Sequence, residues 1–322
     1  MIHPGTIILC GPQRLRPTIG TIVHDLGLNG PVGLITAGWR ERELEDEELR
    51  SNLGLTAINL RLYGRCEEIF RRDPVYFEAH RQRQDRLRRL QRVHRGRLSH
   101  AMVACRELLG ADGDDWLLEP ERDAATAALA ALDAHHLRRV KEIHQRFERD
   151  VRPGERPIIA EQRAAVAAAL EGLDAVAIAG GHVAVLLNRL RLLALRPLLA
   201  ARTVVAWSAG AMALTERVLL FHDMPPQGAG DAEMLDHGLG LATGVVLLPH
   251  AHRRLRLDDR ERVALMARRL RPARCLALAD GAHCQSDDGV LAGAGAVGVR
   301  ELGVDGDLNE GLVHLNDGGS PS

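Results

Sequence analysis

The stretch Thr203-Val-Val-Ala-Trp-Ser-Ala-Gly-Ala-Met212 runs from an apolar strand straight into small residues that can open a helix. Its apolar residues are continuous rather than alternating, which is the pattern of a strand buried on both faces in a parallel sheet. The same pattern recurs to either side. It appears at Thr6 to Gly11, Val32 to Gly38, Thr56 to Leu62 and Ala175 to Gly180, and again at Val245 to Leu248 and Cys275 to Ala279. Helical periodicity fills the gaps, as at Glu161 to Glu171 and Asp258 to Leu270. Strands alternating with helices predict an α/β fold, a mostly parallel sheet flanked by helices with right-handed crossovers. The glycine-rich segment after Asp288 predicts a hairpin or edge strands, followed by a frayed end from Asn316 to Ser322.

One region breaks the alternation. Residues 65–150 show helical periodicity and no strand, with helices expected over Pro74 to Leu109 and Pro120 to Arg149 around a turn at Gly110 to Asp115. The chain is therefore expected to be a single α/β domain, 1–322, carrying a helical insertion at 65–150. On that reading, deleting about Arg72 to Arg149 would leave a folded core. The first helix is basic, with Arg81, Arg83, Arg86, Arg88, Arg89, Arg92, Arg95 and Arg97. Aromatics for base stacking are missing there, so a solvated face or one side of a homodimer contact is favoured over a nucleic-acid patch.

Composition narrows the function classes. A net charge of -1 argues against a surface that binds nucleic acid as a whole. Lys141 is the one lysine, so the positive charge is nearly all arginine, a bias expected of a GC-rich bacterial genome. The best membrane-span candidate, Val183 to Leu199, is interrupted by Arg189, Arg191 and Arg196 and reads as a buried helix. No charged-then-apolar leader opens the sequence. Cys10, Cys66, Cys105, Cys275 and Cys284 are odd in number and irregularly spaced, as expected of reduced thiols in a cytoplasmic protein.

Candidate chemistry gathers at strand ends. Ser208 sits where the strand Thr203 to Trp207 meets the helix start at Ala209, with Ala206 and Gly210 flanking in an A-x-S-x-G pattern. A nucleophile elbow needs small flanking residues because its turn is crowded. A helix start favours developing negative charge, so the Ala209 N–H is a candidate oxyanion donor. An inert serine in a tight turn fits this stretch equally well when it is taken alone. His250 ends the strand Val245 to Pro249 and is the candidate base, while Asp280 follows Cys275 to Ala279 and is the candidate acid. His222, His252 and His283 compete; among 15 histidines, only position promotes His250. Gly180-Gly181-His182 ends another strand, and a glycine pair permits the close backbone approach that a second oxyanion N–H requires. No cofactor motif is found, and His250-x-His252 lacks a third metal ligand at a recognisable spacing.

The order GG-H-x-x-x-L-L from Gly180, then V-V-A-W-S-A-G-A, then Gly238-Leu-Gly-Leu241 and a strand ending in histidine resembles the cyanophycinase and dipeptidase E group. These are serine peptidases on the class I glutamine-amidotransferase-like, flavodoxin-like fold. The resemblance spans roughly Asp174 to Gly298. It implies Ser208 as nucleophile, His250 as base and then acid, Asp280 as the acidic partner, and Gly181 and Ala209 as the oxyanion hole. It implies a small peptide or isopeptide substrate, with aspartyl bonds favoured, and hence a carboxylate-binding arginine. Arg253, Arg254 and Arg256 are candidates, and Gly180, His182, Trp39 and Arg40 are expected to line the pocket. The run Glu43 to Glu48 is expected to be an exposed acidic helix. The sequence departs from the group at Ala206, at His182, in Cys10-Gly-Pro-Gln13 and in the basic helices.

Two other readings fit parts of the sequence. A non-catalytic relative would bind a ligand or partner through the helical insertion. A glutamine amidotransferase would need cysteine at the elbow, where position 208 is serine, and Cys10 is the thiol that comes closest to such a turn.

Overall fold

The computed structural model describes residues 5–220, 231–291 and 297–311, with the backbone alone at 253 and 254. His222, the frayed end from Asn316 and the side chains of Arg253 and Arg254 lie outside the described residues.

The strands are β1 (Ile7–Cys10), β2 (Val32–Ile35), β3 (Ala57–Asn59), β4 (Ala175–Ile178), β5 (Thr203–Trp207), β6 (Arg217–Leu220), β7 (Glu233–His237), β8 (Val245–Pro249), β9 (Arg274–Asp287), β10 (Val290–Leu291), β11 (Val297–Leu302) and β12 (Leu308–Glu310). The helices are α1 (Ile19–Asp25), α2 (Glu47–Leu53), α3 (Leu62–Arg72), α4 (Pro74–Leu109), α5 (Asp115–Val151), α6 (Pro157–Ala169), α7 (Val183–Leu192), α8 (Leu195–Ala200), α9 (Ala209–Leu214), α10 (Ala251–Arg254) and α11 (Arg260–Leu270).

The protein is an α/β fold with a mostly parallel sheet. The sheet runs β12-β11-β9-β1-β5-β4-β2-β3, with β8 and β10 also paired to β9. The block β1, β5, β4, β2 and β3 is parallel. β1, β2, β4 and β5 are buried on both faces, as their apolar runs require, while β3 is the edge strand and leaves Ile58 exposed. Alternate residues feed two cores: Ile7, Leu9, Val204 and Ala206 face one, while Ile8, Cys10, Val205 and Trp207 face the other.

β9 changes the picture at the other edge. It pairs parallel with β8 through residues 274–278 and antiparallel with β1 through residues 283–286. The strand expected to stop at Ala279 therefore continues to Asp287, turning at Gly281, whose φ of +82 suits glycine. β8 is opposite in sense to the parallel block, so its carboxyl end reaches the cleft described below from the opposite direction. The glycine-rich tail forms the antiparallel pair β11–β12, as expected.

The helical region is a long hairpin, α4 and α5. α5 starts earlier than its sequence pattern indicates: Asp114 caps it by accepting the Trp116 N–H, and Pro120 lies inside the helix. α3 packs in the core through Cys66, Ile69 and Phe70, so the segment that leaves the α/β layers is α4–α5. The hairpin is fastened to the body by buried charge. Arg269 of α11 donates to both carboxylate oxygens of Asp133 on α5, at 2.7 and 2.9 Å, and His94 of α4 lies 3.3 Å from the same carboxylate. Asp236 of β7 accepts from Arg191 of α7 at 2.7 and 3.0 Å and lies 3.0 Å from His144 of α5. Glu233 of β7 accepts from Gln91 and Arg95 of α4. The basic face of α4 is thus partly consumed within the chain: Arg95 meets Glu233, and Arg83 is buried over the Phe147 ring at 4.1 Å. Removing the hairpin would take away the carboxylate that Arg269, 2% exposed, is paired with, so the hairpin and the α/β body share a buried ion pair. Among the described residues, no helix is long and apolar enough to cross a membrane.

Candidate active site

A cleft of about 890 Å³ opens at the carboxyl ends of β1, β2, β4, β5 and β8, where ligands sit in open α/β sheets. Ser208, Ala209, Gly180, Gly181, His182, Trp39 and His250 all line it.

Ser208 is held in a backbone conformation that side chains seldom adopt, φ 50 and ψ −120. Its N–H donates to Cys10 O at 3.0 Å, and its carbonyl accepts from Met212 N at 3.0 Å. The sheet on one side and α9 on the other fix the turn, so the strain is imposed by the fold. The crowding explains the small neighbours. A Cβ on Gly210 would lie 2.4 Å from Ile178 O. Ala206 is fully buried within β5, where a methyl group fits.

The β4 turn is equally tight. A Cβ on Gly180 would lie 2.9 Å from Ser208 Cβ and 3.5 Å from Ala209 N. Gly181 has φ +118, and a Cβ there would fall 2.5 Å from Gly38 O. That same oxygen accepts the His182 N–H at 2.8 Å. Among the described residues, the N–H groups of Gly181 and Ala209 have no hydrogen-bond partner. Two unspent donors therefore flank the serine, the arrangement that stabilises a developing oxyanion. His182 caps α7: its Nδ1 accepts the Val185 N–H at 3.3 Å, which places the ring proton on Nε2. It does with an imidazole what a short polar cap residue does elsewhere.

Replacing Gly180 by alanine is expected to abolish turnover by displacing Ser208, with a stability cost of about 1–3 kcal/mol. Parallel kcat/KM and Tm measurements check this; wild-type turnover in the variant would show that the contact yields freely.

Ser208 and His250 share the cleft, but Ser208 Oγ makes no hydrogen bond among the described residues. In unliganded sites such contacts are often long and tighten only with substrate. His250 itself has αL geometry, φ 59 and ψ 23, at the start of α10.

Several expected residues lie elsewhere. Asp280 is inside β9 and is not among the residues that line the cleft. No hydrogen bond or ion pair joins it to a histidine among the described residues. The acid was expected there because the apolar run stops at Ala279, but pairing with β1 carries the strand onward. Arg40 is not a lining residue either; it is half exposed and 3.5 Å from Glu41. Arg42 lines the cleft instead, paired to Glu45 at 2.6 Å. The run Glu43 to Glu48 is not uniformly an exposed acidic helix. Glu43 is buried and accepts the N–H groups of Tyr63 and Gly64, and burial pushes its carboxyl above the usual range. Asp46 is buried against Arg50 and Asn59. Sequence reasoning also missed Gln13, Arg14, Glu48 and Asn52. Cys10 is no nucleophile: it is fully buried, and burial, reinforced by Cys284, pushes its thiol far above neutrality.

The family model for peptidase family S51 matches residues 94–290, which include the serine turn, the glycine pair and His250. No curated protein sequence matches the chain. Among solved structures it is similar to the crystal structure of a peptidase from an acI-B1 Actinobacterium, with 11% identity and a TM-score of 0.44 over 94% of this chain and 91% of that one. Because the family model spans more than half of the chain, the protein belongs to peptidase family S51 and is a hydrolase of the serine peptidase type.

Proposed function

We propose that the protein cleaves a peptide or isopeptide bond of a short peptide through an acyl-enzyme on Ser208. Aspartyl bonds are the ones its sequence resemblance favours. The observation that carries the reading is the strained, doubly anchored Ser208 turn beside the unspent N–H groups of Gly181 and Ala209. Ser208 attacks the carbonyl carbon. His250, on the same cleft, takes the hydroxyl proton and returns it to the leaving amine. The two N–H groups hold the oxyanion. Asp280 is given no role in this arrangement, because it neither lines the cleft nor bonds to a histidine among the described residues. The cleft is large enough for a peptide of a few residues and carries both charge signs, with Arg14, Arg42, Glu45 and Glu48. Five buried free cysteines fit work in a reducing cytoplasm.

Pre-steady-state mixing with a p-nitrophenyl ester tests the mechanism. The expected trace is a burst approaching one equivalent of nitrophenol, followed by slower turnover. Linear release with no burst, together with no incorporation of label into the folded protein, would favour the non-catalytic, ligand-binding relative.

A further inference from the structure

We infer that the cleft carries an apolar subsite, faced by Trp39, that takes an aromatic or large aliphatic side chain of the substrate next to the scissile bond; this rests on the serine-hydrolase reading above. Aromatic residues are scarce, 3 Trp, 2 Tyr and 4 Phe among 322 residues, so where they stand is informative. Phe70, Tyr76, Phe77 and Phe147 pack on one another at the root of the hairpin. Two of the three tryptophans, Trp39 and Trp207, line the cleft that holds Ser208.

Both lie on the side of the sheet covered by α1 and α2. Trp207 is 7% exposed and belongs to the core of that side, together with Ile19 and Leu49. Trp39 is half-buried and packs against the same core. One side of its indole is therefore held by packed apolar residues, and the rest is open to the cleft. The opposite wall is built of narrower side chains from the other core, Val183, Ala209 and Met212. A rigid ring already seated on a core offers broad apolar contact and loses little side-chain entropy on binding.

The fold places this face beside the reacting bond. Trp207 directly precedes Ser208. Trp39 directly follows Gly38, whose carbonyl accepts the His182 N–H at 2.8 Å. A Cβ on Gly38 would lie 2.6 Å from Gly180 O and 3.3 Å from Gly181 Cα, so the turn after β2 is pressed onto the glycine pair. The Trp39 N–H donates to Thr36 O at 2.8 Å, which fixes the start of the short helical turn Ala37–Arg42. One further residue along the chain puts the Trp39 backbone at most about 9 Å from Gly181, a candidate oxyanion donor. An extended dipeptide spans about 7 Å. The subsite therefore serves a residue adjoining the scissile bond.

The side chain has two sources, the residue that supplies the reacting carbonyl or the residue that leaves. Steady-state kinetics on the pair Asp-Ala and Asp-Phe, and on the pair Ala-Ala and Phe-Ala, separate them, using wild type, Trp39→Ala and Trp39→Leu. The expected wild-type result is a kcat/KM about 10–100-fold higher for the phenylalanine member of one pair. In Trp39→Ala that ratio should fall to within about threefold of one, because the loss on the phenylalanine member far exceeds that on the alanine member. Trp39→Leu should be intermediate, and it carries the test should Tm show that Trp39→Ala does not fold. A preference within the first pair assigns the leaving residue; one within the second assigns the acyl residue. No preference in wild type, a preference that survives both substitutions, equal losses on all four peptides, or a wild-type enzyme that cleaves none of them would overturn the inference. Fluorophosphonate labelling of the wild type, run in parallel, reports on Ser208 alone, so failure at Trp39 with a labelled serine is distinct from failure of the hydrolase reading.

Discussion

Ser208→Ala is expected to lower kcat by about 10⁶-fold, the scale seen when a serine nucleophile is removed, while Tm stays close to wild type. The two effects separate because the hydroxyl has no structural task. It makes no hydrogen bond among the described residues, and the turn is held by backbone contacts to Cys10 and Met212. Alanine keeps those contacts and inherits the same strained φ and ψ. Ser208→Gly provides the control on strain. Glycine relieves about 1–3 kcal/mol of backbone strain and gives up about 0.5–1 kcal/mol of chain entropy. It should be inactive yet neutral to more stable than wild type. Turnover retained in Ser208→Ala would remove the serine from the mechanism. A large drop in Tm would show that the hydroxyl is structural.

The largest stability effect is expected far from the cleft. Asp133→Ala should cost about 3–5 kcal/mol, the usual penalty for stranding a buried partner charge. Asp133 is 4% exposed, and the variant leaves Arg269 and His94 facing an emptied position between α4, α5 and α11. Burial alone would raise the Asp133 carboxyl, but the His94 ring 3.3 Å away and the hydrogen bonds from Arg269 overcome it and hold the carboxyl below its ordinary value. A depressed acid contributes stability above its unfolded pKa and loses it as pH falls through the folded one. His136 stacks on His94 with ring centres 4.2 Å apart, and burial lowers it to about 4. The unfolded chain takes up that proton from about pH 6.5 downward, so stability should fall by about 1.4 kcal/mol per pH unit from this one histidine until about pH 4. Urea midpoints of wild type and Asp133→Ala across pH 4–8 check both statements. An unchanged midpoint in the variant would mean that the hairpin is not fastened through this cluster.

The parallel block was legible because each of its strands carries its own apolar signal. Both faces are buried, so Ile7 to Cys10 and Ala175 to Ile178 need no partner to be recognised. The serine turn was legible for a similar, local reason: its small residues answer crowding from Ile178 O and Gly180. What was hidden depends on long-range pairing. Asp280 looked like a strand end because apolar residues stop there, yet β1 supplies the hydrogen bonds that extend β9 past it. β6 and β7 were not foreseen as a hairpin, since Glu233 and Asp236 give β7 a polar pattern. Those acids are buried only because α4, α5 and α7 bring Gln91, Arg95, His144 and Arg191 to meet them. The arginines of the cleft were hidden for the same reason. Arg40 and Arg42 look alike in sequence, and the short helical turn Ala37–Arg42 decides which one faces the cleft. Arg14, which lines the cleft, stands in a segment that only looked unlike the family.

The central claim is that the fold presents Ser208 as a reactive nucleophile. Intact-mass and peptide-mass analysis after exposure of the native protein to a fluorophosphonate tests it most directly. The expected result is a single adduct per chain, located on Ser208, and its disappearance in the Ser208→Ala variant and after denaturation. A folded protein that stays unmodified, or one modified elsewhere with Ser208 bare, would contradict it.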